Sequence, residues 1–499
     1  MTLAVLASRA LAGLTAPAVR VEVHVAAGLP AFHVVGLADA EVRESRERVR
    51  AALASSGFAF PPGRLTANLA PADLPKESGR FDLPIALGVL LAAGLSTLHP
   101  NRDLSRHVFA GELSLTGALV PVQGALAISL AVARTQPDAT LVLPPESAAQ
   151  ARDVPGITVL AAATLTEVAA YLAGEGELSA PSAPTASTAA VVRGPCLGDV
   201  RGQGPARRAL EVAAAGGHGL LMTGPPGAGK SMLAERLPGL LPPLAGTEAL
   251  EAAAIHGIAG EAVVLGRRPF RAPHHSASRA AIIGGGSRPQ PGEISLAHLG
   301  VLFLDELPEF GRHALEALRE PLEAGKVAIT RAQHRVEYPA RFQLVAAMNP
   351  CPCGWHGHPR KACRCSPDQL ARYGARLSGP LLDRIDIHIE LPPADAGWLD
   401  APPGEPSAAV AVRVAAARAC QQARQHGVNA MLGAAELERH AALHGTARDL
   451  WRSAMVGMDW SARAAHRVLR VARTIADMAH ETEVSADHLA EAIQYRRLT

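Results

Sequence analysis

Apolar residues follow three different patterns along the chain. Up to about residue 175 they switch between periods. Val19-Arg20-Val21-Glu22-Val23-His24-Val25 alternates as a half-buried strand does, and 64–70 reads the same way. Residues 39–55 place apolar side chains at helical spacing opposite a charged face, 83–93 reads as a buried helix, and 140–143 as a short strand. That mixture predicts an α+β domain. Between 192 and 392 the signal changes to short, largely apolar runs, 219–223, 301–304 and 342–348, with a further strand at 385–391, each bounded by polar or glycine-rich sequence. Such runs are expected of strands buried on both faces of an α/β core. From 407 to 499 the period is helical throughout: 408–426, 434–443, 447–455, 461–480 and a last helix entered at Ser485, with His488 at the third helical position.

Composition marks the boundaries. Residues 174–191 crowd Ser, Ala, Pro and Thr without any period and read as a linker, assigned to 176–191, and 392–406 repeats Pro, Gly and Ala as a second connector. The predicted organisation is therefore an N-terminal domain (1–175), an α/β core (192–392) and a helical C-terminal lid (407–499). A chain of 499 residues fits about two to four domains. The formal charge is only +2, which is no nucleic-acid signature by itself, and aromatics make up 3% of residues, too few for extensive base-stacking platforms. No apolar run is long enough to span a bilayer comfortably, and Arg9 interrupts the first apolar stretch, so a cytoplasmic protein without a membrane partner is expected.

The α/β core carries the chemistry. Gly224-Pro225-Pro226-Gly227-Ala228-Gly229-Lys230-Ser231 matches G-x-x-x-x-G-K-[ST] between an apolar strand and a helix. In that context backbone N–H groups and the helix N-terminus bind phosphate, Lys230 reaches the β- and γ-phosphates of ATP, and the Ser231 hydroxyl ligates Mg²⁺. Lys230 is one of only four lysines in the chain. Val301-Leu302-Phe303-Leu304 then delivers Asp305 and Glu306 at a strand end. Asp305 is expected to hold Mg²⁺ through water, and Glu306 to act as general base on the attacking water. Asn349 ends the next strand as a candidate to orient that water and sense the γ-phosphate; a turn-forming Asn before Pro350 is the competing reading. Arg384 follows a helix end, where an arginine can reach a neighbouring subunit's nucleotide, although pairing with Asp383 or Asp386 is open. Arg463, Arg467, Arg470 and Arg473 share one helix face. Arg463 is the candidate for a γ-phosphate contact within its own chain, and the other three are expected in solvent or paired with acids.

Cys351, Cys353, Cys363 and Cys365 gather four of the six cysteines into one loop, 351–365, which also holds His356 and His358. Four thiolates suit tetrahedral Zn²⁺, against the alternative of metal-free thiols.

These motifs, with Arg268-Pro269-Phe270-Arg271-Ala272-Pro273-His274-His275, Gly284-Gly285-Gly286 and Pro291-Gly292-Glu293-Ile294-Ser295-Leu296-Ala297-His298, resemble the bacterial YifB/ComM family over nearly the whole length. The middle block is similar to the AAA+ module of magnesium-chelatase-type ATPases. The resemblance implies a hexameric ring, an insertion near 270–286 pointing toward its pore and containing His274 and His275, and, for ComM-type members, a DNA helicase driving branch migration in transformation and recombination. Ala110-Gly111-Glu112-Leu113-Ser114-Leu115-Thr116-Gly117 and Val120-Pro121-Val122-Gln123-Gly124 resemble the Lon-protease C-terminal fold. That fold's catalytic serine and lysine are replaced here by Arg80-Phe81-Asp82 and Ala125-Leu126-Ala127, which removes peptidase chemistry. A metal-chelatase-type ATPase and a protein-remodelling ATPase remain the alternatives to a DNA motor.

Overall fold

The computed structural model describes residues 3–36, 40–74, 76, 78–182, 194–286, 289–331, 334–393, 400–458 and 460–496. Most of the expected linker, and 394–399 of the second connector, lie outside the described residues. The chain forms two compact units, 1–191 together with 246–265, and 192–245 together with 266–499.

The first unit is built on a seven-stranded sheet in the order Ala31–Val35, Arg64–Ala70, Ala18–Ala26, Leu3–Arg9, His107–Phe109, Thr140–Leu143, Thr158–Ala161. Alternation in Ala18–Ala26 buries Val19, Val21 and Val23 and leaves Arg20 exposed, as a sheet packed on one face requires. Helix Asp82–Ala92 covers that face and is buried along almost its whole length. Its first residue, Asp82, is fully buried and accepts hydrogen bonds from Arg48 Nε (2.6 Å), the Ser45 hydroxyl and the backbone N–H of Leu113. The segment 80–82 is thus anchored by an ion pair between Arg48 and buried Asp82. Nearby Lys76 donates to the Pro71 carbonyl, and Ser78 accepts from Arg80 Nε at 2.8 Å, so both groups are committed to internal bonds.

Helix Gly246–Ile258 packs in this first unit, against helix Ala125–Thr135, with Gln123 Nε2 donating to the Ile258 carbonyl at 2.7 Å. The sequence reading places these residues inside the middle block. The helix buries Ala249, Leu250, Ala252, Ala253, Ala254, Ile255 and Ile258, more apolar surface than one face can carry, and so needs extensive cover.

The second unit is a five-stranded parallel sheet, ordered Phe270–Arg271, Val301–Leu304, Gln343–Met348, Leu220–Thr223, Ile387–Glu390. Its core runs without interruption from Leu220, Met222, Phe303 and Val345 into Val468, Val471, Ile475 and Leu489 of the C-terminal helices. The middle and C-terminal blocks therefore share one hydrophobic core. The C-terminal helices are Ser407–Gln425, Ala434–His440, Gly445–Met458, Ala462–Met478 and Ala486–Gln494. Ser485 caps the last by accepting from His488 N, while His488 Nδ1 accepts from Ser485 N, a capping box with imidazole in the usual Glu or Gln role. Among the described residues no helix is long and apolar enough to cross a membrane.

Candidate nucleotide-binding site

The site forms where adjacent parallel strands end on the same side of the sheet. Strand Leu220–Thr223 runs into the loop 224–229, and helix Lys230–Ala234 follows. Gly227 (φ 79°) and Gly229 (φ 94°) take left-handed conformations that a side chain would strain. Strand Gln343–Met348 lies between Leu220–Thr223 and Val301–Leu304. Asn349 is thereby set between the glycine-rich loop and the two acidic residues.

Lys230 is buried and directs its ammonium back over the loop. Its Nζ donates to the carbonyls of Gly224 (2.7 Å) and Pro225 (3.0 Å) and to Asn349 Oδ1 (3.0 Å). Burial lowers its pKa, and the carboxylates of Asp305 and Glu306 oppose that shift. Ser231 Oγ donates to Asp305 Oδ2 at 2.6 Å, so the hydroxyl and carboxylate expected to hold Mg²⁺ converge. Asp305 Oδ1 accepts the backbone N–H of Glu306 at 2.9 Å. Glu306 adopts φ 53°, uncommon for a residue with a side chain, and its half-exposed carboxylate meets His275 Nδ1 at 3.0 Å. The rings of His274 and His275 lie with centres 4.1 Å apart and planes tilted by 35°.

Arg384 lies apart from these contacts. Its Nη1 donates to the Pro380 carbonyl (2.6 Å), and its Nη2 pairs with Glu323 (2.6 Å). Exposed Arg463 reaches the same Glu323 carboxylate at 3.6 Å. The structure therefore groups Arg463 with Arg384, whereas the sequence reading aims Arg463 at its own chain's nucleotide. Of the remaining arginines on that helix, Arg467 bonds the Arg384 carbonyl (3.0 Å) and Asp386, Arg470 donates to the Leu432 carbonyl (2.9 Å), and fully buried Arg473 pairs with Asp477 (3.0 Å). All three are committed internally: Arg467 ties the helix to 384–386, Arg470 ties it to Leu432, and the Arg473–Asp477 pair lies within the helix itself.

The four loop cysteines come together. Sγ–Sγ separations are 3.4 Å for Cys351–Cys353, 3.7 Å for Cys351–Cys363 and 3.6 Å for Cys353–Cys363, and all four Sγ atoms, Cys365 included, lie within 4.8 Å of one another. A tetrahedral zinc site with Zn–S near ~2.3 Å spaces its sulfurs by about 3.8 Å. Backbone N–H groups of Arg364 and Trp355 pull the Cys353 thiol down to about 6, whereas at Cys365 the backbone N–H of Cys353 is outweighed by burial and the neighbouring sulfurs, which push that thiol up to about 12.

Three family models match in succession along the chain: subunit ChlI of Mg-chelatase over 21–147, magnesium chelatase subunit ChlI over 196–398, and the ChlI C-terminal region over 404–496. The uncharacterized protein YifB of Salmonella typhimurium is 46% identical over 503 residues, spanning 100% of this chain and 98% of that protein. The chain belongs to the YifB/ComM family of magnesium-chelatase-like proteins. Competence protein ComM of Haemophilus influenzae is 45% identical over 507 residues, with 100% and 98% of the two chains covered. YifB of Escherichia coli is 45% identical over 503 residues, again covering 100% and 98%.

Within this YifB/ComM frame, linear order pointed to the loop, the acidic pair, Asn349 and the cysteines, all of which carry strong local patterns. It did not point to His275 on Glu306 or to Glu323 between Arg384 and Arg463, and it offered Asp386 to Arg384, whereas Asp386 pairs with Arg467 and accepts from His218 Nδ1 at 3.0 Å. A histidine pair beside a glycine-rich insertion was the one available signal for His275. Glu323 sits in ordinary helical sequence and offers none.

Proposed function

We propose that this YifB/ComM-family chain hydrolyses ATP and couples turnover to movement on DNA. In this reading it acts as a cytoplasmic hexameric ring driving branch migration in homologous recombination and natural transformation. The observation that carries the hydrolytic reading is the convergence of Lys230 with Asn349, and of Ser231 with Asp305, beside Glu306 at neighbouring strand ends. The phosphates of ATP accept the N–H groups of the loop, and Lys230 exchanges its carbonyl partners for phosphate oxygens. Ser231 and Asp305 would hold Mg²⁺, which would supply positive charge to the phosphate oxygens. Glu306 takes the proton of the attacking water once it leaves His275, and Asn349 orients that water. Arg384 stabilises the transferring phosphoryl group of the adjoining copy, and Arg463, on leaving Glu323, contacts the γ-phosphate within its own chain. A structural Zn²⁺ on Cys351, Cys353, Cys363 and Cys365 completes the cofactor set.

Support for DNA as the partner comes from the family, one of whose members is named a competence protein. The magnesium-chelatase family models favour a second reading, a chelatase-type or remodelling ATPase without DNA activity. One experiment separates the two: ATP turnover with and without single-stranded and branched DNA, beside unwinding of a three-strand junction. The DNA-motor reading predicts stimulated turnover and ATP-dependent unwinding. An assembled, ATP-hydrolysing ring that neither binds nor unwinds DNA would exclude it.

A further inference from the structure

The cysteine loop is continuous with the nucleotide machinery at three points. Cys351 follows Asn349 by two residues, and Asn349 Oδ1 accepts from Lys230. Gly354 lies against the glycine-rich loop: a Cβ added there would come within 2.6 Å of Pro226 Cδ and 2.7 Å of Pro226 Cγ, and its φ of 81° already disfavours a side chain. On the far side, Cys365 leads directly into helix Pro367–Gly374, whose start is fixed by a capping box between Ser366 and Gln369. Tyr373 of that helix donates its hydroxyl to the Asn349 backbone carbonyl at 3.2 Å. Asn349 is thus gripped from both ends of the loop, by the chain leading to Cys351 and by the helix leaving Cys365.

Closure of the loop depends on the sulfurs. Among the described residues the cysteines make no disulfide, and the loop supplies N–H donors to the sulfur cluster, including His356 N to Cys351 Sγ at 3.3 Å. Four sulfurs at near-tetrahedral spacing, with backbone N–H groups aimed at them, are the surroundings of a bound thiophilic dication.

We propose that one zinc ion bound by Cys351, Cys353, Cys363 and Cys365 acts as a clamp. It fixes helix Pro367–Gly374 and Gly354 relative to strand Gln343–Met348, and so holds Asn349 and Pro226 in register for turnover. The clamp rests on the ATPase reading above, but its metal and its packing can be measured without hydrolysis. Binding exchanges thiol protons for metal, so no oxidant or reductant enters. Asn349 is the group at the nucleotide, and the cysteines and Gly354 are positioning residues acting through it and through Pro226.

The test uses the full chain. Elemental analysis of the purified protein should find one zinc per chain, lost in Cys353→Ser and Cys365→Ser. Zinc-free variants should lose about tenfold or more in kcat, the scale seen when outer-shell support of a metal site is removed. Binding of a fluorescent ATP analogue should change far less. Gly354→Ala should keep its zinc and its circular dichroism yet lose kcat, because it pushes on Pro226 while sparing the sulfurs. Absence of zinc, or a disulfide among these four cysteines as isolated, overturns the proposal. So does full kcat in the zinc-free variants, or in a folded, zinc-loaded Gly354→Ala. Should the cysteine variants fail to fold, Gly354→Ala alone decides. A parent protein that binds zinc and nucleotide but never hydrolyses ATP would contradict the ATPase reading and leave the zinc and binding measurements standing.

Discussion

Lys230 commits three N–H donors to two carbonyls and one amide oxygen while its side chain is nearly buried. Each bond is one that a phosphate oxygen can replace, so phosphate would arrive at an ammonium already desolvated and aimed. Lys230→Ala removes that charge and should abolish hydrolysis and weaken nucleotide binding together. Glu306→Gln keeps the size and the backbone but cannot accept a proton. It should bind the fluorescent ATP analogue with near-parental affinity while turnover falls about 10²- to 10⁴-fold. Equal loss of affinity in both variants would show that Glu306 serves binding and not the water. Lys230 and Glu306 were legible as candidates because glycine spacing and paired carboxylates at a strand end are rare in linear sequence. The contact of Glu306 with His275 was not, because it joins side chains brought together by pairing of Phe270–Arg271 with Val301–Leu304.

Strands of the parallel sheet were readable from their apolar runs wherever those runs reach four residues or more, as in Val301–Leu304 and Gln343–Met348. Phe270–Arg271 is a two-residue strand and carries no period of its own; only its pairing with Val301 and Leu302 defines it. The long hairpin Lys326–Arg331 with His334–Pro339 also escaped the reading, its charged residues masking the alternation of Val327, Ile329, Val336 and Tyr338. The edge strand Ile387–Glu390 buries His388, and burial together with nearby Arg496 lowers its pKa to about 4 from 6.5. A histidine depressed in the folded state favours folding above pH 6.5, and that contribution fades as pH falls from 6.5 toward 4. It amounts to about 3 kcal/mol when complete. The thermal stability of the parent should therefore fall markedly between pH 7 and pH 4.5, and less so in His388→Asn. An identical pH slope in both would place the loss elsewhere.

At the scale of the whole molecule, three blocks were expected and two compact units are found, because a shared core outweighs the composition break near 392–406. Val414 and Val468 belong to the same cluster as Leu220 and Ile387, so the C-terminal helices are part of the unit that carries the glycine-rich loop. Helix Gly246–Ile258 crosses the other way, since chain order says nothing about which sheet an apolar helix will cover. Arg384 and Arg463 gather on Glu323, while Lys230 bonds its own loop and Asn349. That separation leads to a site completed by a second copy. Lys230→Ala and Arg384→Ala should each be inactive alone, Arg384→Ala while still binding nucleotide. The decisive measurement is the ATP turnover of the two variants mixed and reassembled. In the mixture, intact loops of one variant face intact arginines of the other, and part of the parental rate should return. If the mixture stays as inactive as its components although the two variants co-assemble, Arg384 serves its own chain and the shared site is contradicted.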